Sequence, residues 1–306
     1  MRVLHVNDVA GVASDICRVQ RELGHESMVM AHRRYSMVEP DVQLYLDGFV
    51  CINLELLMRS GLFRKADIIH VHGGMRRSQL AFRFLKKHNG AKWVVHYHGS
   101  ETRMGYGIHH ADLADTKIVS TPDLARWHPG AIWLPNPIPE VLLPPTEPRG
   151  QEKETLLVGH FPSKRHLKGT DDIIKALEPL VEMGLVNLVI REGKSHHEII
   201  ETIRCMDVVI DQLTDLGIFS KVALEAMALG VPAISSYDGS LFPEDCPVIA
   251  TNSKAELTET VRKIANQGVS EGLKQDSVRY VRRYHDPVTV AQRLTDVYRS
   301  VLGLLA

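Results

Sequence analysis

The sequence has few of the features that mark secreted, membrane-spanning or disulfide-bonded proteins. Its four cysteines are scattered, and no two of them have the spacing of a metal site or a redox pair, which favours a reducing compartment. No segment approaches the ~18 apolar residues of a membrane-spanning helix. Residues 1–6 have the pattern of a strand rather than that of a signal peptide. These absences together predict a soluble, cytoplasmic protein.

Net charge is also lacking. The 306 residues include 36 Lys and Arg against 37 Asp and Glu, and the isoelectric point lies near 7.0. Proteins that bind nucleic acid through its phosphates usually carry a clear basic excess, so we expect no nucleic-acid partner. The length is sufficient for two domains, each with its own core.

What the sequence does contain is a regular alternation of short apolar runs and amphipathic segments. This order predicts parallel sheets flanked by helices, and hence an α/β fold. A proline-rich passage from 134 to 148 interrupts the alternation and predicts a linker between two doubly wound units. Open parallel sheets bind ligands at the carboxyl ends of their strands, so we expect a site in a cleft between the two units.

The segment 217–230 predicts a helix that is apolar on almost every side but carries Glu225 in its middle. A buried ionised carboxylate is costly unless hydrogen-bond donors meet it. The ribose hydroxyls of a bound nucleotide would serve, and so would an internal partner. Gly230 is the expected left-handed end of the helix, and Pro232 prevents its continuation.

A second signal is the basic loop 161–171, which follows a predicted strand and ends at a helix that Thr170 could cap. Its cations include Arg165 and Lys168. Beside the free amides of a helix N-terminus, such cations can neutralise a diphosphate. The alternative is a solvated basic loop next to the acidic residues that open the helix.

Histidines stand at the carboxyl ends of two predicted strands, at His70 and His72 and again at His96 and His98. We expect them to form a polar rim that hydrogen-bonds a polyol. Imidazoles are also good zinc ligands, but no carboxylate or thiolate lies at a matching spacing, so we expect no metal. Two further histidine pairs receive no role, at 109–110 and 196–197.

The loop after the first strand, residues 7–14, leads into a helix that Ser14 could cap. Its amides could hold an anion or a sugar hydroxyl. It has one glycine, Gly11, where a dinucleotide fingerprint has three, which argues against NAD.

Several of these segments together resemble the retaining glycosyltransferases of the GT-B fold, of the glycosyltransferase group 1 or glycogen-synthase-like kind (family 4 type). The resemblance covers nearly the whole chain and rests on Lys168-Gly169-Thr170, the segment 219–230, Asn136-Pro137 and His98-Gly99. It implies two Rossmann-like doubly wound domains facing across a cleft, and a C-terminal helix that crosses back to the first domain. The implied ranges are 1–137 for an acceptor-side domain, 138–286 for a nucleotide-sugar-binding domain and 287–306 for the final helix.

The resemblance also implies roles for single residues. Glu225 would bind the ribose hydroxyls of a nucleotide-sugar donor. Arg165 and Lys168 would bind its diphosphate and stabilise the leaving group, while His98 would approach the donor sugar near the reaction centre. The remaining implied contacts are Gly11, Gly217, Ile218, Phe219, Ser220 and Arg191 for the donor, with His72 and Glu101 on the acceptor side.

The implied reaction is the transfer of a hexosyl unit with retention at the anomeric carbon. A UDP- or GDP-sugar is the expected donor, and a hydroxyl of a carbohydrate or glycoconjugate is the expected acceptor. No cofactor and no metal are required, because the cations of the loop offset the charge that the leaving diphosphate develops.

One position departs from the family. A glutamate commonly stands eight residues before the ribose-binding carboxylate, and here that position is Gly217. The change leaves open a different donor sugar, or a degenerate protein that binds a sugar nucleotide and acts through a partner. A third alternative with the same architecture is a sugar-nucleotide 2-epimerase, which needs acid-base carboxylates; Glu101 is the obvious candidate.

The sequence does not identify the acceptor or an oligomeric state. The segment 54–65 mixes apolar and basic residues. It predicts a core-packed helix with a basic end, in preference to a surface that touches a membrane or a lipid-linked acceptor.

Overall fold

The computed structural model of the chain describes residues 1–32, 39–46, 48–73, 78–103, 112–138 and 155–304. The chain divides into two compact units. Unit 1 is Met1–Pro137 together with Pro287–Ala306, and unit 2 is Ile138–Asp286. The division falls within the proline-rich passage, of which residues 139–148 lie outside the described residues.

Unit 1 is built on a seven-stranded sheet. Its strands are β1 (Arg2–Val6), β2 (Glu26–His32), β3 (Val42–Leu44), β4 (Ile68–His72), β5 (Lys92–Tyr97), β6 (Thr116–Val119) and β7 (Ile132–Trp133). They pair in the order β3-β2-β1-β4-β5-β6-β7, and every pair is parallel. The direction of winding reverses between β1 and β4, which makes this the topological switch point of a doubly wound sheet.

Among the described residues, five α-helices of unit 1 lie before the linker. They are α1 (Val12–Glu22), α2 (Phe49–Met58), α3 (Ser60–Lys65), α4 (Gln79–His88) and α5 (Ser100–Arg103). The segment 54–65 is therefore two helices that break at Arg59, and the prediction of one helix is wrong. Leu56 and Phe63 are buried in the core, whereas Leu54 and Met58 are exposed.

The two faces of the unit 1 sheet are covered differently. On one face, residues of β1, β4 and β5 such as Leu4, Ile69 and Trp93 pack against α2, α3 and α4. On the other face, the core formed with α1 includes Val3 and Ile68. Because side chains alternate along a strand, the same face continues towards the carboxyl ends of these strands with histidines instead of aliphatic residues.

The last helix, α12 (Pro287–Val301), belongs to unit 1 although it follows unit 2 in the sequence. Its buried residues Val290, Leu294 and Tyr298 recur every four positions and form one apolar stripe. This stripe completes the core that contains Val3 and Ile68.

Unit 2 is built on a five-stranded parallel sheet. Its strands are β8 (Leu156–His160), β9 (Val186–Ile190), β10 (Val208–Gln212), β11 (Ala233–Ser235) and β12 (Ile249–Ala250), in the order β12-β11-β10-β8-β9. Its helices are α6 (Arg165–Lys168), α7 (Thr170–Glu182), α8 (His196–Ile203), α9 (Lys221–Ala228), α10 (Lys254–Gln267) and α11 (Glu271–Tyr284). The switch point lies between β8 and β10. None of the described helices in either unit combines the length and hydropathy that crossing a bilayer requires.

Two helix starts differ from the prediction. The sequence suggested Ser14 and Thr170 as caps, but the N-cap positions of α1 and α7 are Gly11 and Gly169. Both glycines have a left-handed backbone, with φ of 77° and 68°. Glycine adopts this conformation without the Cβ clash that other residues suffer, which is why it stands at both turns.

Candidate functional site

Glu225 is buried in the middle of α9, with 2% of its surface exposed. Its Oε1 accepts a hydrogen bond from His196 Nε2 at 2.8 Å. His196 is the first residue of α8, and the preceding Ser195 forms a capping box with Glu198 that fixes the start of this helix. The assignment of no role to His196 is therefore wrong, because this imidazole is the internal partner that a buried carboxylate needs. Among the described residues, no donor meets Oε2 of Glu225.

Lys168 ends α6, and its ammonium points into a polar cluster at the carboxyl end of β10. Its Nζ donates to Asp211 Oδ1 at 3.1 Å and to Gln212 Oε1 at 2.9 Å. The Lys168 side chain is largely buried and that of Asp211 almost completely so. Lys168 is thus one half of a buried ion pair, which the basic-loop pattern did not reveal.

Asp211 is held as a carboxylate by several donors. Besides Lys168, the Ser220 amide donates to Oδ2 at 2.7 Å, and the Ser220 hydroxyl donates to Oδ1. Burial by itself raises the pKa of Asp211, but the Lys168 charge and the Ser220 hydrogen bonds outweigh burial and lower this pKa below its usual value. Asp211 therefore joins the end of α6 to the N-cap of α9, and it stays ionised.

The turn between α6 and α7, at Gly169, packs directly against Leu213, which follows β10. A Cβ atom on Gly169 would overlap the carbonyl oxygen of Leu213, so only glycine fits there. The Leu213 amide also donates to the Lys168 carbonyl at 3.1 Å. Beneath the turn, buried His160 donates from Nδ1 to the Ile210 carbonyl and accepts from the Thr170 hydroxyl at Nε2. The Thr170 hydroxyl therefore holds the turn to His160 and does not cap the helix.

Arg165, the other predicted diphosphate ligand, is less restrained. Its guanidinium is about half exposed and pairs with Glu192 and Asp171. Both carboxylates compete with any phosphate for this cation. Arg191, expected near the base of the donor, follows β9, is exposed and donates to the Ile190 carbonyl at 3.1 Å.

The loop between β10 and α9 contains the position at which the family pattern has glutamate. Gly217 has φ of 68°, and a Cβ there would meet only ordinary contacts with Asp238. The requirement for glycine is thus conformational, and the protein itself makes no close approach at this position. Ile218 and Phe219 are buried, and the Phe219 ring stacks on Phe242.

The amides of this loop were expected to reach the donor sugar. The Ser220 amide instead donates to Asp211, so it is not available to a ligand in this structure. The amides of Ile218 and Phe219 have no hydrogen bond within the described part of the chain, so the expectation stands for these two.

In unit 1 the histidines form a layer inside the protein, not a rim. His5, His70, His72 and His96 are completely buried, and His98 is half-buried. The parallel register places His5 beside His70 and His72 beside His96. We call these five residues the histidine layer. The prediction of an accessible polar rim is wrong for three of the four histidines that it named, His70, His72 and His96. Of these, His72 was expected on the acceptor side.

A chain of hydrogen bonds orders the rings of the layer. His98 Nε2 lies 3.1 Å from His72 Nδ1, and His72 Nε2 lies 3.0 Å from His5 Nδ1. His5 Nε2 then lies 2.9 Å from Gln20 Oε1. Because an amide oxygen only accepts, His5, His72 and His98 each donate from Nε2 in this chain, and Nδ1 of His5 and of His72 accepts.

The four buried histidines of the layer are neutral. Burial lowers the pKa of His5 to about 4, and it lowers the pKa values of His70, His72 and His96 well below the usual 6.5. The neighbouring imidazoles lower the pKa values of the last three further. These four rings therefore offer lone pairs and N–H groups but no positive charge at neutral pH.

The loop at residues 7–14 was expected to present amides to an anion. In the structure, buried Asp8 takes this place: Oδ1 accepts from the Ala13 amide at 3.0 Å and from the Ser14 amide at 3.3 Å, and Oδ2 accepts from the Ser14 hydroxyl. Two non-glycine residues of the loop, Asn7 and Ala10, have positive φ. Asp8 thus satisfies the first turn of α1 from within, and the backbone around Gly11 is strained.

The His98-Gly99 turn has its own internal reason. A Cβ on Gly99 would overlap the guanidinium of Arg103, which forms a buried ion pair with Asp123 at 2.8 Å. The side chain of Glu101 lies outside the described residues, as do His109 and His110. The role of Glu101 on the acceptor side stays a prediction.

Comparison with known proteins gives a fold. No protein-family profile matches the chain, and no curated protein matches it. Solved structures do match. Anabaena Alr3699/HepE, in complex with UDP and glucose, has a TM-score of 0.72 at 14% identity, over 98% of this chain and 100% of that one.

Two further neighbours illustrate the range of activities on this fold. A UDP-forming α,α-trehalose-phosphate synthase from Burkholderia xenovorans has a TM-score of 0.66 at 12% identity, over 99% of this chain and 100% of that one. The UDP-GlcNAc 2-epimerase of Methanocaldococcus jannaschii has a TM-score of 0.61 at 11% identity, over 97% and 99%. The fold is GT-B, as the sequence predicted, and at these identities the likeness extends no further.

Proposed function

We propose that this protein is a glycosyltransferase that transfers a hexosyl unit from a UDP-sugar to a hydroxyl acceptor, with retention at the anomeric carbon. UDP is preferred over GDP, because the neighbouring HepE structure contains UDP and the synthase is named as UDP-forming. The acceptor is a carbohydrate or a glycoconjugate. The transfer itself requires no metal ion.

The observation that carries this proposal is the half-satisfied carboxylate of Glu225. One oxygen is held by His196, while the other has no partner among the described residues. A vicinal diol such as that of ribose supplies the missing donors. Hydrogen bonds to a charged group contribute about 1.5–3 kcal/mol, enough to give such a site a clear nucleotide preference.

Lys168 supports the diphosphate part of the proposal. An ammonium has three N–H donors, and Asp211 and Gln212 accept from two of them, so the third can donate to a phosphate oxygen. Because Asp211 already neutralises Lys168, the net charge offered to the diphosphate is small. Arg165 must then exchange one of its exposed carboxylate partners for phosphate to stabilise the leaving group.

Retention follows from the proposed chemistry. No described carboxylate is assigned as a covalent nucleophile, and the acceptor hydroxyl attacks from the face that the diphosphate leaves. The departing phosphate accepts the acceptor's proton. Gly217 removes the family's glutamate from the sugar, so the amides of Ile218 and Phe219 replace it as donors and select the hexose.

Calorimetric titration with UDP, GDP and ADP tests the nucleotide part. We expect UDP to bind without added metal, and Glu225→Ala to weaken it by about 1.5–3 kcal/mol, or roughly 10- to 150-fold. Glu201→Ala is the control, because Glu201 is an exposed carboxylate on α8 that pairs with Arg204. Equal UDP affinity in wild type and Glu225→Ala would remove the assignment.

Turnover separates the transferase from its alternatives. NMR of a reaction with UDP-glucose and a panel of glycoside acceptors should show an α-linked product and free UDP. Formation of a 2-epimer from UDP-GlcNAc would identify an epimerase. Binding of UDP without any turnover would instead favour the degenerate protein that Gly217 suggests. His98→Ala should lower turnover while leaving UDP affinity unchanged.

A further inference from the structure

Three histidines of the layer bring ring nitrogens together deep inside unit 1. One nitrogen each from His5, His70 and His72 lies within 4.8 Å of the other two, and all three side chains are completely buried. His5 Nδ1 and His72 Nε2 are 3.0 Å apart. Zn²⁺ binds imidazole at about 2.0–2.1 Å, so two ligands of a tetrahedral zinc stand about 3.3 Å apart. The rings need only a small shift to reach that separation.

The nitrogens that face away from this point have hydrogen-bond partners. His5 Nε2 meets Gln20 Oε1 at 2.9 Å, His70 Nδ1 meets the Tyr298 hydroxyl at 2.5 Å, and His72 Nδ1 meets His98 Nε2 at 3.1 Å. Histidines that bind metals characteristically engage their second nitrogen in this way, which fixes the ring. The outer nitrogens of all three rings have such a partner. In the metal-free chain His72 Nε2 carries the proton that His5 Nδ1 accepts, so binding of the ion moves the His72 proton to Nδ1, which then donates to His98 Nε2 as His98 takes its other tautomer.

The inner nitrogen of His70 has no such partner. Its Nε2 is buried, and no described residue forms a hydrogen bond with it. Leaving a buried polar atom without a hydrogen bond destabilises the fold. A cation at the centre of the triad would remove this cost, because Nε2 is the atom that Tyr298 leaves for a ligand.

We propose that His5, His70 and His72 bind one divalent first-row transition-metal ion, with Zn²⁺ the best fit. An all-imidazole donor set suits zinc, copper and nickel and disfavours calcium and magnesium. The ion ties β1 and β4 to α1 through Gln20 and to α12 through Tyr298, and so has a structural role that is separate from sugar transfer.

A second triad in the layer is an alternative metal site. His72, His96 and His98 also bring ring nitrogens within 4.8 Å. Neither ring nitrogen of His96 has a partner among the described residues, so a metal there would leave its second nitrogen unsupported. The second triad therefore lacks the complete outer shell of the first, and His96 becomes the matched control.

The test uses the full chain, purified without a histidine tag and refolded with Zn²⁺ because the site is buried. Mass spectrometry of the metal content should find about one zinc per chain after dialysis. His70→Asn should lower this content at least tenfold, whereas His96→Asn should retain it. Zinc X-ray absorption of the wild type should show nitrogen ligands with the pattern of imidazole.

Cobalt offers a readout that depends on no variant. Wild-type protein refolded with Co²⁺ should show the intense visible absorption of a four-coordinate site. Zinc-loaded protein should also melt several degrees above protein refolded with a chelator. Absence of bound metal and of cobalt absorption in the folded wild type would overturn the proposal, as would loss of zinc in His96→Asn with retention in His70→Asn. UDP binding is measured on the same samples, so failure of this site is distinguishable from failure of the proposed function.

Discussion

The two units differ in the polar groups that they place at one end of their parallel sheets. Each has polar side chains at the carboxyl ends of its central parallel strands. In unit 1 these are the imidazoles of the histidine layer, of which the four buried ones are neutral. In unit 2 they are charged, with Lys168 and Asp211 paired and Glu225 held by His196.

The difference shows what burial demands of each kind of group. A neutral imidazole can be buried with one or two hydrogen bonds, and some nitrogens of the layer have none. A buried carboxylate needs more, and Asp211 accordingly collects the Lys168 ammonium and both donors of Ser220. The edge of unit 2 therefore presents paired charges, whereas the interior of unit 1 presents the lone pairs and N–H groups of neutral imidazoles.

Among the changes considered, acidification should have the largest effect, and it should destabilise unit 1 more than unit 2. The histidines of unit 1 have folded-state pKa values below the ~6.5 of the unfolded chain, so the unfolded state binds protons first as pH falls. Stability is complete above about pH 6.5 and falls by about 1.4 kcal/mol per pH unit for each histidine that stays neutral. For His5 this loss continues to about pH 4.

Hydrogen exchange of metal-free protein, resolved by segment, checks this expectation. At pH 5.5 the protection factors of the unit 1 strands, which correct for the intrinsic pH dependence of exchange, should be far lower than at pH 7.5. The protection factors of the unit 2 strands should change less, because one histidine of that sheet, His160, has its pKa lowered by burial. An equal loss of protection in both units would contradict the contrast between a neutral and a charged edge.

Asp211→Ala should have the next largest effect. It removes the partner of a buried ammonium and the acceptor of the Ser220 amide, so we expect unit 2 to lose about 3–5 kcal/mol of unfolding free energy. Urea denaturation measures this loss. The control is Asp172→Ala, since Asp172 forms an exposed pair with Lys254 and its removal should have little effect.

Gly169→Ala should show why the turn between α6 and α7 requires glycine. A Cβ there conflicts both with the positive φ and with the fixed Leu213 carbonyl, so we expect a loss of about 2–4 kcal/mol. Gly184→Ala is the matched control, because Gly184 has φ of 70° but nothing near its Cβ. Thermal unfolding of the two variants should differ clearly. Similar losses would mean that backbone strain alone, and not the Leu213 contact, requires glycine.

His196→Ala should have the smallest effect of the four. It leaves the buried Glu225 carboxylate without its internal donor, at a cost of about 1–3 kcal/mol in unfolding free energy. His197→Ala alters the adjacent exposed residue and should be neutral. If UDP supplies donors to Glu225, adding UDP should restore part of the loss in His196→Ala. No stabilisation by UDP would contradict the proposed ribose contact.

The sequence was sufficient for the fold and for the location of the charged groups. Alternation of apolar and amphipathic segments predicted two parallel sheets, and the isolated carboxylate in the 217–230 helix pointed to Glu225. Local pattern could not supply the partners. His196 lies 29 residues from Glu225, and Asp211 lies 43 residues from Lys168, so only the folded chain brings them together.

The histidine layer shows where a stronger prediction was available. His70 and His72 are two residues apart on one strand and therefore share a face, as do His96 and His98 where the next strand continues. With His5 from the first strand added, the same pattern predicts a histidine cluster on one face of the sheet, beneath the helices that pack there, rather than a rim. The pattern could not predict how deeply these rings are buried. Their burial depends on contacts with α1, through Gln20, and with α12, through Tyr298, and α12 lies far along the chain.

The placement of α12 has a consequence for the order in which the chain acquires its structure during synthesis. All of unit 2 leaves the ribosome before Val290, Leu294 and Tyr298 do, and these residues complete the core of unit 1. Unit 2 is continuous in sequence and can form while unit 1 still lacks its final cover. Until Tyr298 arrives, His70 has no hydroxyl to fix its ring, and the part of the unit 1 sheet that α12 covers stays open to water. The part of the protein made first is thus the last to close.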